Sequence, residues 1–159
     1  MLTPAERRQK IEGIRRLPAS LEAAVKGLND QQLDTPYRTG GWTVRQVVHH
    51  LADSHINAFV RMKLILTEEK PTLKPYDQDA WAKLPDTKTT PIQSSLSILR
   101  GLHDRWHKLL ETVPDEGWSR TALHPEIGEV SLESQLVTYA SHGEKHVSHI
   151  TGLRSAKGW

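Results

Sequence analysis

The sequence predicts an all-α fold, a four-helix bundle joined by long connections. Three observations carry this: four long stretches with apolar residues at helical spacing, a capping signature before each, and no convincing strand pattern. The first stretch opens at Thr3-Pro4-Ala5-Glu6, where Thr caps, Pro takes the first helical position and Glu completes a capping box. Ile11, Ile14, Leu17, Leu21, Ala24, Val25 and Leu28 follow on one face. Pro18 is expected to kink this helix or restart it, because it has no N–H and its ring meets the preceding turn. Residues 29–42 read as turns, on Asp34-Thr35-Pro36 and Gly40-Gly41. Thr43-Val44-Arg45-Gln46 is a second capping box, opening a helix to about Thr67 with Val44, Val47, Val48, Leu51, Ala58, Phe59, Met62 and Ile65 on its apolar face.

Residues 68–89 contain Pro71, Pro75 and Pro85 and are expected to hold at most one short helix, around 77–84. Tyr76 and Trp81 argue that this segment is an ordered cover, since disordered chain is poor in aromatics. Thr90-Pro91-Ile92-Gln93 reads as a third capping box, before a helix that carries Leu96, Leu99, Leu102, Trp106, Leu109 and Leu110 and stops short of Pro114. Residues 115–130 carry turn signals and Gly128, with room for an irregular extended piece. Ser131 then caps the last helix, whose stripe is Leu132, Leu136, Tyr139, Ala140, Gly143, Val147, Ile150 and Leu153. Connections this long imply at least one crossover. With no internal repeat or low-complexity tract, residues 1–159 are expected to form a single domain.

Composition narrows the chemistry. The chain has 159 residues and no cysteine, so disulfides, thiolate metal ligands and a protein-borne sulfur nucleophile are excluded together. Any metal is held by nitrogen and oxygen. With 21 basic and 19 acidic residues, the net charge of +2 is too balanced for a nucleic-acid footprint. The amino terminus is polar, and no apolar run reaches the ~18 residues a membrane span needs. A cytoplasmic protein with neither a membrane nor a nucleic acid as partner is expected.

Six of the nine histidines fall in two short segments, His49, His50 and His55 in one and His142, His146 and His149 in the other. On a helix the latter three stand at i, i+4 and i+7 along one edge of the last apolar stripe. An i, i+4 pair supplies two imidazoles to a transition ion, and the third ligand must come from elsewhere. Helical phase leaves two candidates even. His55 points into the middle of the second helix's apolar face, whereas His50 joins Ser54, Asn57 and Arg61 in a polar file on its flank. His103 and His107 form a rival i, i+4 pair with no third convergent donor. Asp53 and Glu144 are weak candidates for acid–base or supporting roles, no better than ordinary solvated charges.

The run Gly41-Trp42-Thr43-Val44-Arg45-Gln46-Val47-Val48-His49-His50-Leu51-Ala52-Asp53-Ser54-His55 resembles the signature of the YfiT branch of the DinB-like superfamily. Lys74-Pro75-Tyr76-Asp77 with Trp81, Leu102-His103 with Arg105-Trp106, His124-Pro125, and His142 with His146-Val147-Ser148-His149-Ile150-Thr151 fit it in the same order. The resemblance spans nearly the whole chain. It implies an up-down-down-up bundle, usually a homodimer, that binds one divalent transition metal per subunit, zinc or nickel. Carried over by position, the metal ligands are His50, His142 and His146. Arg61, His149 and Asp53 remain candidates for catalytic work, His149 as a group that orients a neighbour or substrate. The family is described as metal-dependent hydrolases, and members resemble S-transferases that use the thiol bacillithiol. This chain begins close to its first helix, without an amino-terminal extension associated with the family, so a site or dimer seam covered by that extension is expected to be more open.

Two reaction classes and one non-catalytic reading follow. In the first, an ion with an open position holds a small-molecule thiol as thiolate for transfer to an electrophile, with Arg61 available to a cosubstrate carboxylate. In the second, the ion activates water against an amide or ester. In the third, the metal only stabilises a binding module.

Overall fold

A computed structural model describes residues 1–159. In chain order it has α1 (Pro4–Val25), α2 (Asp30–Leu33), α3 (Val44–Thr67), α4 (Gln78–Trp81), α5 (Pro85–Thr89), α6 (Gln93–Glu111), a 3-10 turn (Asp115–Ser119), β1 (Thr121–His124), β2 (Gly128–Ser131) and α7 (Leu132–Lys157). The long helices α1, α3, α6 and α7 form the bundle, with α1 and α3 each packed on both α6 and α7.

Side-chain pairings give the directions. Glu22 meets Arg100 and Ile14 meets His103, so α1 and α6 are antiparallel. Arg7 meets Glu133 and the Ala24 carbonyl meets Arg154, so α1 and α7 are parallel. His49 meets Ser95 and Met62 meets Trp106, which makes α3 parallel to α6. Arg61 meets Tyr139 while His50 meets His142, so α3 opposes α7. In chain order the long helices therefore run up, down, down, up. The 24-residue α3 and the 26-residue α7 face each other along one seam.

Three helix starts form as their sequences dictate. Reciprocal capping boxes close at Thr3 with Glu6 and at Thr43 with Gln46, and Ser131 pairs with Ser134 in the same way. The third expected box does not form. Thr90 instead ends α5: its N–H bonds the Asp86 carbonyl, and its own carbonyl accepts from Arg45 and His49. The helix α6 begins at Gln93 with Ile92 already helical and no side-chain cap. Nor does Pro18 restart the first helix, which runs unbroken through it. The turn-rich stretch contains α2, capped by Asn29 with Gln32, and the cover contains two short helices rather than one.

The extended piece is a hairpin, β1 antiparallel to β2 in the register Thr121↔Ser131 to His124↔Gly128, with Gly128 at φ 80°. Its Ala122 and Val130 join the apolar core. That core is two clusters. One gathers Ile14, Met62, Trp106, Leu136 and Ala140; the other gathers Leu17, Leu51, Leu99 and Ile150. Between these levels stand His55 on α3, His103 on α6 and His142 on α7, all buried or nearly so. Beside His142, α7 reaches α1 at Gly143, where a Cβ would lie 2.6 Å from Leu17 Cδ2. No helix is long and apolar enough to cross a membrane.

Candidate metal centre

Helix α3 supplies His50 and helix α7 supplies His142 and His146. Their phase on opposing helices brings three imidazole nitrogens together. His142 Nε2 lies 3.2 Å from His50 Nε2 and 3.2 Å from His146 Nε2, and the three ligand atoms all fall within 4.8 Å of one another. The site thus unites the ligands expected at 50, 142 and 146.

The donors fit a divalent transition ion. Tetrahedral coordination with metal–nitrogen bonds of about 2.0–2.1 Å places ligand nitrogens about 3.3–3.4 Å apart, close to the two observed contacts. Burial, reinforced by the neighbouring His146, pushes the His50 ring down to about 3. Burial acts likewise on His142, with His50 and Lys145 adding to it, and on His146, with His142, His149 and Lys145 adding to it; these rings titrate at about 4 and about 3. All three are therefore neutral near pH 7, the form that offers a lone pair to a metal. Buried His146 Nδ1 has no hydrogen-bond partner.

A groove of 370 Å³ reaches two of the trio, His142 and His146, and is lined besides by Tyr37, Arg38, Trp42, Gln78, Asp79, Lys145 and His149; His50 does not line it. The turn before α3 builds one wall: Tyr37 N–H donates to the Trp42 carbonyl at 3.0 Å, and Pro36 bridges Thr43. Trp42 then stands 4.6 Å from the His50 ring and parallel to His146 at 6.3 Å. Helix α4 builds the opposite wall and presents Gln78 and Asp79. It is held down where Gln46 Nε2 donates to the Ala82 carbonyl at 2.6 Å. A larger cavity, of 530 Å³ between α1 and the end of α6, contains none of these three histidines.

Of the other expected residues, only His149 lines the groove. Arg61 is buried, donating to Tyr139 Oη at 3.2 Å and to the Lys74 carbonyl at 2.6 Å, so its guanidinium is engaged by the protein itself. Asp53 is half-buried and raised to about 6 by burial and by Asp86, but it does not line the groove. His149 does, stacked on Tyr37 at 4.3 Å with the rings 4° from parallel. Glu144 is exposed. His49 is a strut, bonded to Ser95 Oγ at 2.7 Å and to the Thr90 carbonyl at 3.0 Å. His55 does not join the trio; its Nε2 lies 3.3 Å from His142 Nδ1 on the far side of that ring. His107 turns out to Glu111. Sequence reasoning missed the groove cations Arg38 and Lys145. Lys145, one residue from His146, was open to a phase argument; Arg38 sits in a turn, where no periodicity applies.

The DinB superfamily profile matches residues 14–150. Among curated proteins, "Putative metal-dependent hydrolase YfiT" of Bacillus subtilis is 50% identical over 150 residues, covering 94% of this chain and 84% of that one. A protein of Bacillus cereus (strain 03BB102), also named as a metal-dependent hydrolase of this provisional kind, is 51% identical over 149 residues, covering 94% and 86%. The solved structure of Bacillus subtilis YfiT is described as a probable metal-dependent hydrolase with an unusual four-helix bundle topology. It matches with a TM-score of 0.98 at 46% identity, covering 100% of this chain and 91% of that chain.

Proposed function

The chain belongs to the DinB superfamily, and on that premise we propose that it is an enzyme using zinc or nickel, held by His50, His142 and His146, to transfer a small-molecule thiol to an electrophile. The observation that carries the reading is a cluster of three imidazole nitrogens, two of whose rings line a groove with two cationic side chains, Arg38 and Lys145, in a chain without cysteine. When bound, a divalent ion with a free position stabilises the charged form of a thiol or of water.

The residues define the rest. Three neutral imidazoles leave the cation's charge uncompensated, so the site favours an anion over a neutral ligand. Arg38 and Lys145 extend that preference outward, with Arg38 suited to a paired contact with a carboxylate on the cosubstrate. Trp42 stands beside the His50 and His146 rings and supplies an apolar wall there. His149, fixed against Tyr37, offers a ring nitrogen within the groove for orienting a bound group.

A hydrolase reading draws on the names of the relatives and on one residue. Asp79 is the groove's only carboxylate and would serve as general base for an attacking water. Cobalt(II) separates the two. Added thiols are expected to produce a sulfur-to-metal charge-transfer band in the near ultraviolet, with the thiol ionising well below the ~8.5 of a free cysteine. Conjugation of an electrophile should require both metal and thiol. An unchanged cobalt spectrum, with ester or amide hydrolysis in the absence of thiol that is lost in Asp79→Asn, would replace the transferase by the hydrolase. Silence in both assays favours a binding module.

A further inference from the structure

Behind the metal centre, a line of imidazoles crosses the whole bundle. His142 Nδ1 lies 3.3 Å from His55 Nε2, His55 Nδ1 lies 3.0 Å from His103 Nε2, and His103 Nδ1 lies 2.6 Å from the carbonyl oxygen of Ile14 on α1. His55 is 0% and His103 1% exposed, and neither lines the groove.

The last contact gives the line its direction. In an α-helix the carbonyl of residue 14 accepts from the N–H of residue 18. Residue 18 is proline, which has none, so the Ile14 carbonyl lacks its helical donor inside a buried layer. His103 supplies one. A carbonyl oxygen can only accept, so His103 must carry its proton on Nδ1. Both rings are buried and neither has a carboxylate among its hydrogen-bond partners, so each is neutral and carries a single proton. His103 Nε2 is then an acceptor, which requires the His55 proton on Nδ1. His55 Nε2 accepts in turn, which requires the His142 proton on Nδ1. What remains on His142 is the Nε2 lone pair, aimed at His50 and His146.

We propose that His55 and His103 are positioning residues for the metal centre: anchored on the carbonyl that Pro18 leaves free, they fix His142 as the tautomer that presents Nε2 to the ion. The inference rests on the metal-centre reading for its purpose, but its proton positions can be observed without metal. Two buried histidines that look like core filling, and a proline inside a helix, become parts of one device. Free imidazole divides itself between two tautomers; here one is selected before the ion arrives.

The test has a metal-free arm and a binding arm. In metal-stripped protein labelled with ¹⁵N-histidine, long-range proton–nitrogen correlation should place the protons of His103, His55 and His142 on Nδ1. A proton on Nε2 of His142 or His55 overturns the proposal. In competition titrations with zinc, His103→Leu should bind about 10- to 100-fold more weakly, the range expected for loss of an outer partner. His103→Gln should recover much of that loss, since its amide donates to Ile14 and its carbonyl accepts from His55. Pro18→Ala returns an N–H to the Ile14 carbonyl in competition with His103. It should weaken zinc binding several-fold and bring the Nε2–H form of His142 into view. Wild-type zinc affinity in both His103→Leu and Pro18→Ala would refute the device. Should wild type and His50→Ala fail alike to take up zinc, the metal reading falls, while the tautomers are still decided by the spectra.

Discussion

Two pairs of histidines stand four residues apart on long helices, His142 with His146 on α7 and His103 with His107 on α6, and they come to opposite ends. The first pair meets His50 across the α3–α7 seam, with Nε2 atoms turned on one another. The second pair divides. His103 goes inward and has both nitrogens claimed, by Ile14 and His55, while His107 swings out to Glu111 at 3.3 Å. Equal spacing thus puts two rings on one face in both cases, and what makes a ligand set is the opposing helix. Where it offers a third unclaimed nitrogen, the rings converge; where it offers a carbonyl or another filled ring, they become struts.

The sharpest way to break this contrast is to remove rings from both sides of it. His50→Ala, His142→Ala and His146→Ala are each expected to lose the metal, by more than the ~10- to 100-fold that an outer partner costs, while far-ultraviolet circular dichroism keeps its helical shape. Elemental analysis of the purified variants decides it, and full occupancy in His142→Ala would dissolve the centre. If His55→Ala alone empties the site, the ligand on α3 has been misplaced.

Acid should have the next largest effect. Unfolded histidines take up protons near 6.5, whereas folded His50 and His146 hold out to about 3, and His142 and His103 to about 4, chiefly through burial. Between those values the unfolded chain binds more protons than the folded one, so stability is lost as pH falls from about 6.5 toward 4 and is level above that range. Melting temperatures of the metal-free protein at several pH values should rise and then flatten accordingly. A profile that is flat from pH 4 to 7 would contradict a neutral imidazole layer.

The smallest effect belongs to the outward ring. His107→Ala should leave metal content unchanged and cost only about 1 kcal/mol of stability, the ordinary size for a point substitution, since the side chain is partly covered but makes no contact with the trio. Calorimetry and elemental analysis on one preparation suffice, and a metal-depleted variant would restore α6 as a ligand helix.

The same contrast explains how far the sequence could be read. Long amphipathic segments fix their own faces, so α3 ends at Thr67 as its stripe suggested, and the caps at Thr3, Thr43 and Ser131 form. Thr90 resembled a cap just as closely. It was lost to a tertiary contact, the hydrogen bonds from Arg45 and His49 that hold it at the end of α5. His50 and His55 were indistinguishable by phase because both do reach His142, one on each side of its ring. No one-dimensional pattern states which nitrogen a neighbour will claim. Arg61 shows the same limit, since its partners Tyr139 and the Lys74 carbonyl come from distant parts of the chain.

The glycine beside His142 limits what later mutation or engineering can do here. Exchanging a helical glycine for alanine commonly gains about 1 kcal/mol of helix propensity. At position 143 the added methyl would stand 2.6 Å from Leu17 Cδ2, and Leu17 is itself only 5% exposed, with little room to turn away. Relief would come by backing α7 off α1, which carries His142 and His146 along with it. Thermal hardening and ligand placement therefore compete for the same separation between α7 and α1. A search for stabilised variants should find its gains far from this crossing.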